Sequence, residues 1–353
     1  MLQLSENALL TVRRLLPHDS ATAERWDSFV QGSPDATFFH RAGWQKVVMD
    51  VFRHDTYFLY AEQNGVIQGV LPLGHVKSWL FGNSLVGLPF AVYGGVVASS
   101  SQAGDALEHE AQKIAQELDV AHLEWRNRNP RHTDWPQQNL YVTFRKEIFP
   151  DQDANMRAIP RKQRAMVRKG IQHGLRSEID RNENRFYELY ADNVLRHGTP
   201  ALPKRYFMAL LSEFGADCEV LTVVTPQGQP VSSVLSFYFR DEVLPYYAGD
   251  AKCARDLAAN DFKYWELMRR ASERGVQIFD YGRSKRGTGS YAFKRNWGFE
   301  PMPLHYEYCL YKRDAIPQNN PSNGKFKWMI AAWRRMPLSM ANWLGPLVVR
   351  NLG

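Results

Sequence analysis

The side chains that could do chemistry lie together in one stretch of the sequence, residues 276–299. An apolar run ending at Phe279 predicts a buried strand, and Asp280 stands where that strand ends. A basic loop with two glycines follows, and Ser290 predicts the N-cap of a short helix that carries Lys294. A strand end, a polar loop and a helix start bring backbone amides and a cation together, which is typical of sites for charged groups in α/β proteins.

Lys294 is the first candidate catalytic residue. It lies among aromatic residues, with Phe293 directly before it, so its ammonium is predicted to lie against a wall of the protein. A solvated surface loop is the alternative interpretation. The sequence shows no evident Ser–His–Asp or Cys–His combination, which indicates a reaction without a covalent enzyme intermediate.

A strongly basic segment, residues 156–176, contains no acidic residue. A helix starting after Pro160 would place Arg161, Arg164 and Arg168 on one face, and Val167, Ile171 and Leu175 on another. The apolar face predicts docking against the fold, and the arginine face predicts a groove for phosphate oxygens, which the guanidinium fork matches. A solvated basic helix that links two halves of the chain is the alternative.

Composition limits the class of protein. The 353 residues, 44% of them hydrophobic, favour two ordinary domains rather than a disordered chain. The net charge of +7 favours an anionic partner. The three cysteines are widely spaced and form no zinc or disulfide pattern, and no signal peptide is evident, so we expect a cytoplasmic location.

The predicted elements occur twice in the same order. In each half a strand and two helices precede a hairpin, a further strand, a helix and two closing strands, the closing strands being residues 122–126 and 140–147, then 276–279 and 304–311. The sequences HLEWRNR and IFDYGRS occupy equivalent places. This predicts a tandem repeat with a first domain at 1–150, a second at 151–315 and a basic aromatic tail at 316–353.

At Arg161–Gly170 and Phe279–Pro301 the chain resembles the FemAB family and its BioF2-like acyltransferase relatives. Within that family it is most similar to the FemAB-related proteins found with exopolysaccharide and PEP-CTERM systems. The resemblance implies two GNAT-like modules, each a mixed and mostly antiparallel sheet flanked by helices. It also implies an enzyme that moves an acyl group onto an amine.

The resemblance assigns roles to the candidate residues. The family's Phe-Lys pair falls on Phe293 and Lys294, and the lysine is implied to stabilise the developing oxyanion or to bind the terminal ribose of a tRNA. Asp280 or Asp250 would orient or deprotonate the amine, with a structural capping role as the alternative for each. The predicted substrate-binding residues are Arg161, Arg164, Arg168, Tyr247, Asp250, Tyr281 and Arg283.

The acyl donor stays open between aminoacyl-tRNA and acyl-CoA, each as a cosubstrate rather than a tightly bound cofactor. No heptad run corresponds to the coiled coil of some Fem proteins. The chain also lacks the second glycine of the CoA-binding loop of ordinary GNATs, since it continues as Gly249–Arg255. No metal is expected.

The predicted function is therefore an N-acyltransferase acting on an amine of an envelope or exopolysaccharide precursor, as in peptidoglycan-type aminoacyl transfer. The expected acceptor bears phosphate or is linked to lipid. A catalytically inactive GNAT pair that acts as a membrane-docked scaffold is the alternative.

The tail contains no acidic residue after Asp314. Prolines at 337 and 346 divide an apolar and aromatic pattern into short helices. The cations are Lys325, Lys327, Arg334, Arg335 and Arg350, and the tryptophans are Trp328, Trp333 and Trp343. This predicts contact between residues 325–350 and an anionic membrane surface at the inner face of the cytoplasmic membrane, with packing against the domains as the alternative.

Overall fold

The structure is a computed structural model that describes residues 9–78, 82–317 and 324–350. Within these ranges the chain forms two compact units. The first unit comprises residues 9–139 and 304–317, and the second comprises residues 140–303 and 324–350. Each is built on one sheet of mostly antiparallel strands flanked by helices, as predicted.

The first unit has a sheet whose strands lie in the order β1-β2-β3-β4-β6-β16-β7, with β5 beside β3. The strands are β1 (Thr11–Arg14), β2 (Asp55–Gln63), β3 (Val66–Ser78), β4 (Gly82–Gly87), β5 (Val97–Ala98), β6 (His122–Asn127), β7 (Gln137–Gln138) and β16 (His305–Leu310). The helices are α1 (Ser20–Gly32), a 3-10 turn (Phe38–His40), α2 (Gly43–Val47), a π-helical turn (Val48–Phe52) and α3 (Ser101–Glu117).

Local chemistry explains these elements. Asn64 and Gly65 both have positive φ, the geometry of the tight turn that Asn-Gly favours between β2 and β3, and the predicted hairpin is present. Ser100 accepts a hydrogen bond from the Ala103 amide and caps α3. The apolar face of α3, including Leu107, is buried in the same core as Trp125.

The second unit has a sheet in the order β14-β8-β13-β12-β11-β10-β9, with β15 beside β8. The strands are β8 (Tyr141–Glu147), β9 (Arg176–Asp180), β10 (Cys218–Val224), β11 (Pro230–Phe239), β12 (Glu242–Asp250), β13 (Ile278–Asp280), β14 (Ser284–Lys285) and β15 (Pro301–Pro303). The helices are α4 (Gln152–Ala158), α5 (Arg161–Gln172), α6 (Asn184–His197), α7 (Lys204–Phe214), α8 (Ala259–Glu273), α9 (Gly289–Asn296), α10 (Gly324–Arg334) and α11 (Leu338–Val349), with 3-10 turns at Gly215–Asp217 and Lys252–Arg255.

The last strand of each predicted module lies in the sheet of the other unit. β8 pairs with β13, β14 and β15 of the second unit, although the sequence pattern placed residues 140–147 at the end of the first module. β16 pairs with β6 and β7 of the first unit, although residues 304–311 were expected to close the second module. Alternation of apolar and polar residues identifies a strand but does not identify its partner, which explains the difference.

Two local predictions need correction. Ile171 was expected to face inward on α5, but its side chain is 49% exposed, and the inward face is formed by Gln163, Val167 and Gly170. The close packing of α5 on α8 requires glycine at position 170, because a Cβ there would come within 2.7 Å of the Phe262 Cβ. Helix α9 is capped by Thr288 rather than Ser290, because the Thr288 hydroxyl accepts from the Tyr291 amide.

Candidate functional site

Strands β12 and β13 separate at the centre of the second unit's sheet. They run parallel, but their ladder holds only at Glu242 with Ile278 and at Val243 with Phe279. Beyond these pairs β12 continues along β11 to Asp250, with a β-bulge where its register shifts. Helix α8 comes after β12, and helix α9 comes after β13 and β14. Each contacts the end of one of these strands, Lys263 on α8 through Asp250 and Lys294 on α9 through the Tyr281 carbonyl.

Lys294 on α9 reaches back to the end of β13. Its side chain is 9% exposed, and its Nζ donates to the carbonyl oxygens of Tyr281 at 2.6 Å, Gly282 at 3.0 Å and Arg283 at 3.3 Å. Burial lowers the pKa of Lys294 from 10.5 to about 7, although the nearby Asp280 acts in the opposite direction. The amine therefore fixes the turn after β13 and is not a solvated surface lysine.

Asp280 is completely buried beneath the same turn. Its Oδ1 accepts from the Thr143 hydroxyl at 2.9 Å and from the Gly282 amide at 2.7 Å. Its Oδ2 lies 3.4 Å from the Arg145 Nε in an ion pair. These contacts are those of the structural capping interpretation, because every one of them joins the carboxylate to a protein group.

An aromatic cluster surrounds the turn. The Tyr281 ring lies 4.9 Å from the Tyr264 ring, and Tyr264 in turn lies 5.6 Å from Phe293. The Tyr281 hydroxyl is buried and has no hydrogen-bond partner among the described residues, and burial raises its pKa well above the ordinary range. The guanidinium of Arg283 lies 4.8 Å from the centre of the Tyr141 ring.

A second polar cluster lies at the end of β12 and on α8. Asp250 accepts from the Lys263 Nζ at 2.9 Å and from the Ser232 hydroxyl, and Lys263 is completely buried. Asp261 accepts from the indole Nε1 of Trp297 at 2.9 Å, and burial raises the pKa of Asp261. The predicted Asp250 thus forms an ion pair with a buried lysine, and its own side chain is 27% exposed.

Sequence reasoning missed Lys263, Asp261 and Tyr264, although one signal was available. Lys263 and Tyr264 stand between Phe262 and Trp265, so the apolar face of α8 is wide enough to bury a neighbouring polar residue. Tyr264 carries a phenol whose pKa burial raises, with the negative charges of Asp250 and Asp261 adding to the effect.

The remaining predicted residues fall in two other places. Tyr247 belongs to an aromatic group on the other side of β12, where its hydroxyl lies 3.1 Å from the Tyr206 hydroxyl. Arg164 donates to the carbonyls of Arg157 and Ile159, so its fork is already occupied by backbone. Arg161 and Arg168 are exposed on the outer side of α5. The structure therefore does not bring the three arginines together as one cradle.

Residues 155–295 match the model of the Acetyltransf_6 family, described as an acetyltransferase (GNAT) domain. FemX has a similar structure over 86% of this chain and 98% of its own, with a TM-score of 0.66 and 15% sequence identity. The chain has a FemAB-like tandem GNAT fold. The predicted resemblance is thereby confirmed.

Two further solved structures have a fold similar to that of this chain. L-PGS from Bacillus licheniformis matches over 88% of this chain and 96% of its own, with a TM-score of 0.57 and 11% identity. A tandem GNAT protein from the clavulanic acid biosynthesis pathway matches over 87% and 100%, with a TM-score of 0.54 and 12% identity. No functionally curated protein matches the chain by sequence. The GNAT match supports an acyltransferase in general.

Proposed function

We propose that this protein is an N-acyltransferase whose reaction takes place at the opening between β12 and β13. The observation that carries the proposal is the position of Lys294, a buried amine held at the end of β13 by three carbonyls. A GNAT domain match over the residues that form this opening supports the same chemistry.

In the proposed reaction a neutral substrate amine attacks the acyl carbonyl carbon. A carbon–nitrogen bond forms, the amine loses a proton, and the bond to the donor's oxygen or sulfur breaks, so that the donor leaves with a proton. The tetrahedral intermediate carries negative charge on oxygen, which a nearby cation stabilises. The longest of the three Lys294 hydrogen bonds, to Arg283, is the one that such an oxygen can replace.

Asp280 has a positioning role in this proposal. Its bond to the Gly282 amide sets the turn whose carbonyls hold Lys294, and Gly282 adopts the positive φ that the turn requires. Deprotonation of the amine is left to solvent or to a group that faces the opening. Tyr264 on α8 does not serve as this base, because burial and the nearby Asp250 and Asp261 raise the pKa of its phenol and keep it protonated.

The proposed acceptor is an amine of an envelope or exopolysaccharide precursor that bears phosphate or lipid. Two neighbours support a lipid-linked acceptor or an aminoacyl donor: FemX, and a putative lysylphosphatidylglycerol synthetase domain from Agrobacterium fabrum that matches with a TM-score of 0.55 and 12% identity. For the donor, the GNAT match favours acyl-CoA, and aminoacyl-tRNA remains the second candidate.

The tail supports a peripheral position at the inner face of the cytoplasmic membrane. It packs on the fold, because Arg334 donates to the His197 carbonyl at 3.1 Å and a Cβ on Gly345 would come within 2.9 Å of the Ala201 carbonyl oxygen. Its outer face nevertheless exposes Trp343 and Leu347. The side chains of the predicted Lys325, Lys327 and Trp328 lie outside the described residues.

A donor screen tests the proposed activity. Purified full-length protein is incubated with charged tRNA or with acyl-CoA and a panel of amines, and products are measured by mass spectrometry. We expect transfer from one donor class, and we expect Lys294→Met to lower kcat at least about a hundredfold through loss of the oxyanion contact.

Lys146→Met is the matched control. Lys146 is also partly buried, its pKa is also lowered by burial, and its Nζ donates to the Ala158 carbonyl at 3.2 Å. If the Lys294→Met protein is folded and its kcat is unchanged, Lys294 does not stabilise the oxyanion. Absence of transfer from either donor class would favour the inactive scaffold instead.

A further inference from the structure

The first unit contains a cavity of about 260 Å³ that lies outside the matched GNAT region. One wall is the chain from Gly95 to Ala98, and the opposite wall is the turn Asn127–Arg131 after β6. Tyr93 and His40 complete it, with Asp35 at the rim. The cavity is slightly smaller than the roughly 300–1,000 Å³ typical of small-molecule sites, so it suits a small ligand or a headgroup.

Three arginines surround this cavity, and two of them are paired with carboxylates. Arg126 is buried, pairs with Glu124 at 2.8 Å and donates to the carbonyls of Leu88 and Ala91. Arg131 pairs with Glu108 at 2.7 Å. Both therefore belong to the framework of the unit.

Arg128 is different. It is half-buried, and among the described residues no carboxylate lies within ion-pair distance of it. Its guanidinium lies 5.9 Å from the centre of the Tyr93 ring, which holds the cation against the cavity wall. A partly desolvated guanidinium without an anion favours an anionic guest, because its fork matches the oxygens of phosphate or carboxylate.

The walls are fixed before any ligand arrives. Glu307 on β16 is completely buried and accepts from the Asn127 side chain and the Arg131 amide, both at 2.8 Å. Gly95 allows the two walls to approach, because a Cβ there would lie 1.8 Å from the Asn127 Oδ1.

His40 is fixed in one tautomer. Its Nδ1 accepts from the Thr37 amide at 3.1 Å, so its Nε2 carries the hydrogen and donates to the Gly95 carbonyl at 3.1 Å. A preorganised cavity of this kind loses little conformational entropy on binding.

We propose that this cavity binds a small ligand through a phosphate or carboxylate held by Arg128. Asp35 is exposed at the rim, where its carboxylate accepts a hydrogen bond from a hydroxyl or an ammonium of the same ligand. The ligand class is therefore a small anion with a hydrogen-bond donor at its other end, such as an amino sugar phosphate or an amino acid. The proposal does not depend on acyl transfer.

Isothermal titration calorimetry on the full-length protein tests the proposal with inorganic phosphate, glucosamine 6-phosphate and glycine. We expect one equivalent of phosphate-bearing or carboxylate-bearing probe to bind, and Arg128→Gln to weaken that binding at least about tenfold. Asp35→Asn is expected to weaken the two amine-bearing probes and to leave inorganic phosphate unchanged.

Two control variants keep the outcome specific. Arg13→Gln removes an exposed arginine elsewhere in the first unit and should leave binding unchanged. Lys294→Met should also leave it unchanged, which separates this site from the proposed transfer site. No binding of any probe at millimolar concentration, or equal binding by Arg128→Gln, would overturn the proposal.

Discussion

At Lys294 burial and hydrogen bonding act in opposite directions. Burial favours the neutral amine and lowers the pKa to about 7. The three carbonyl acceptors match the three N–H groups of the ammonium and favour the charged form. The balance between these two effects decides whether Lys294 is protonated at neutral pH. Only the protonated form can stabilise an oxyanion as a cation.

The pH dependence of stability measures this balance. With a folded pKa near 7 and an unfolded pKa of 10.5, the unfolded state binds more protons between these values. The free energy of unfolding of the wild type, relative to Lys294→Met, should therefore rise with pH across this window by a few kcal/mol. It should be lowest below pH 7. Urea titrations at several pH values give the difference, and a flat difference would show that the carbonyls keep the ammonium charged.

The three predicted arginines of helix α5 have two different environments in the structure. Arg164 turns back onto the carbonyls of Arg157 and Ile159, where it satisfies the end of α4, whereas Arg161 and Arg168 face outward. The inward face packs on α8 through Val167 and Gly170. We infer that only the two outward arginines are available to a phosphate-bearing substrate.

Replacement of these two arginines tests this division. The double variant Arg161→Gln/Arg168→Gln should weaken binding of tRNA or acyl-CoA and flatten its dependence on salt, because fewer phosphate contacts release fewer counterions. Arg164→Gln is the control, since it should lower the melting temperature without changing the salt slope. Fluorescence anisotropy at several salt concentrations measures both. The same salt slope in all three proteins would show that α5 is only solvated.

At the scale of elements, the sequence allowed accurate prediction where local chemistry decides. The hairpin predicted in each half is present, β2 with β3 and β10 with β11, because turn residues and strand alternation are local signals.

The sequence could not predict features that depend on distant partners. The strand exchange, the Asp250–Lys263 ion pair and the three carbonyls around Lys294 all join residues by tertiary contacts. The prediction that Ile171 faces inward failed for a related reason. Gly170 lets α5 pack closely on Phe262 of α8, and the inward face consists of Gln163, Val167 and Gly170 instead.

At the scale of the whole molecule, the tail packs on the second unit, which is one of the two predicted alternatives, and it also has an exposed apolar face. Helix α11 buries Ala341, Gly345 and Val349 at a spacing of one helical turn. Its other side exposes Trp343 and Leu347, which are 71% and 57% exposed. No helix in the described part of the chain is long and apolar enough to cross a membrane. An apolar helix face with nearby cations and no acids suits the surface of an anionic bilayer.

Vesicle binding tests the membrane proposal. The wild type should bind vesicles that contain phosphatidylglycerol more tightly than zwitterionic vesicles, and salt should weaken the binding. Trp343→Ser/Leu347→Ser should lower vesicle binding at least about tenfold, since each side chain contributes roughly 1.5–3 kcal/mol on burial. Met208→Ser changes a residue of α7 that is 51% exposed and serves as control. If the double variant binds vesicles normally but loses a concentration-dependent dimer in sedimentation, a second copy covers this face instead.

The exchange of closing strands has a consequence for how the chain folds as it is made. The first unit's sheet needs β16 between β6 and β7, so it is complete only after residue 310 has left the ribosome, when most of the chain has been synthesised. Until then β6 has an unpaired edge, and Asn127 and Arg131 lack the buried Glu307 carboxylate. The second unit's strands are all available earlier, after residue 303. Pairing across this sequence distance is slow to form, so we expect the N-terminal portion of the nascent chain to be the part most exposed to misassociation.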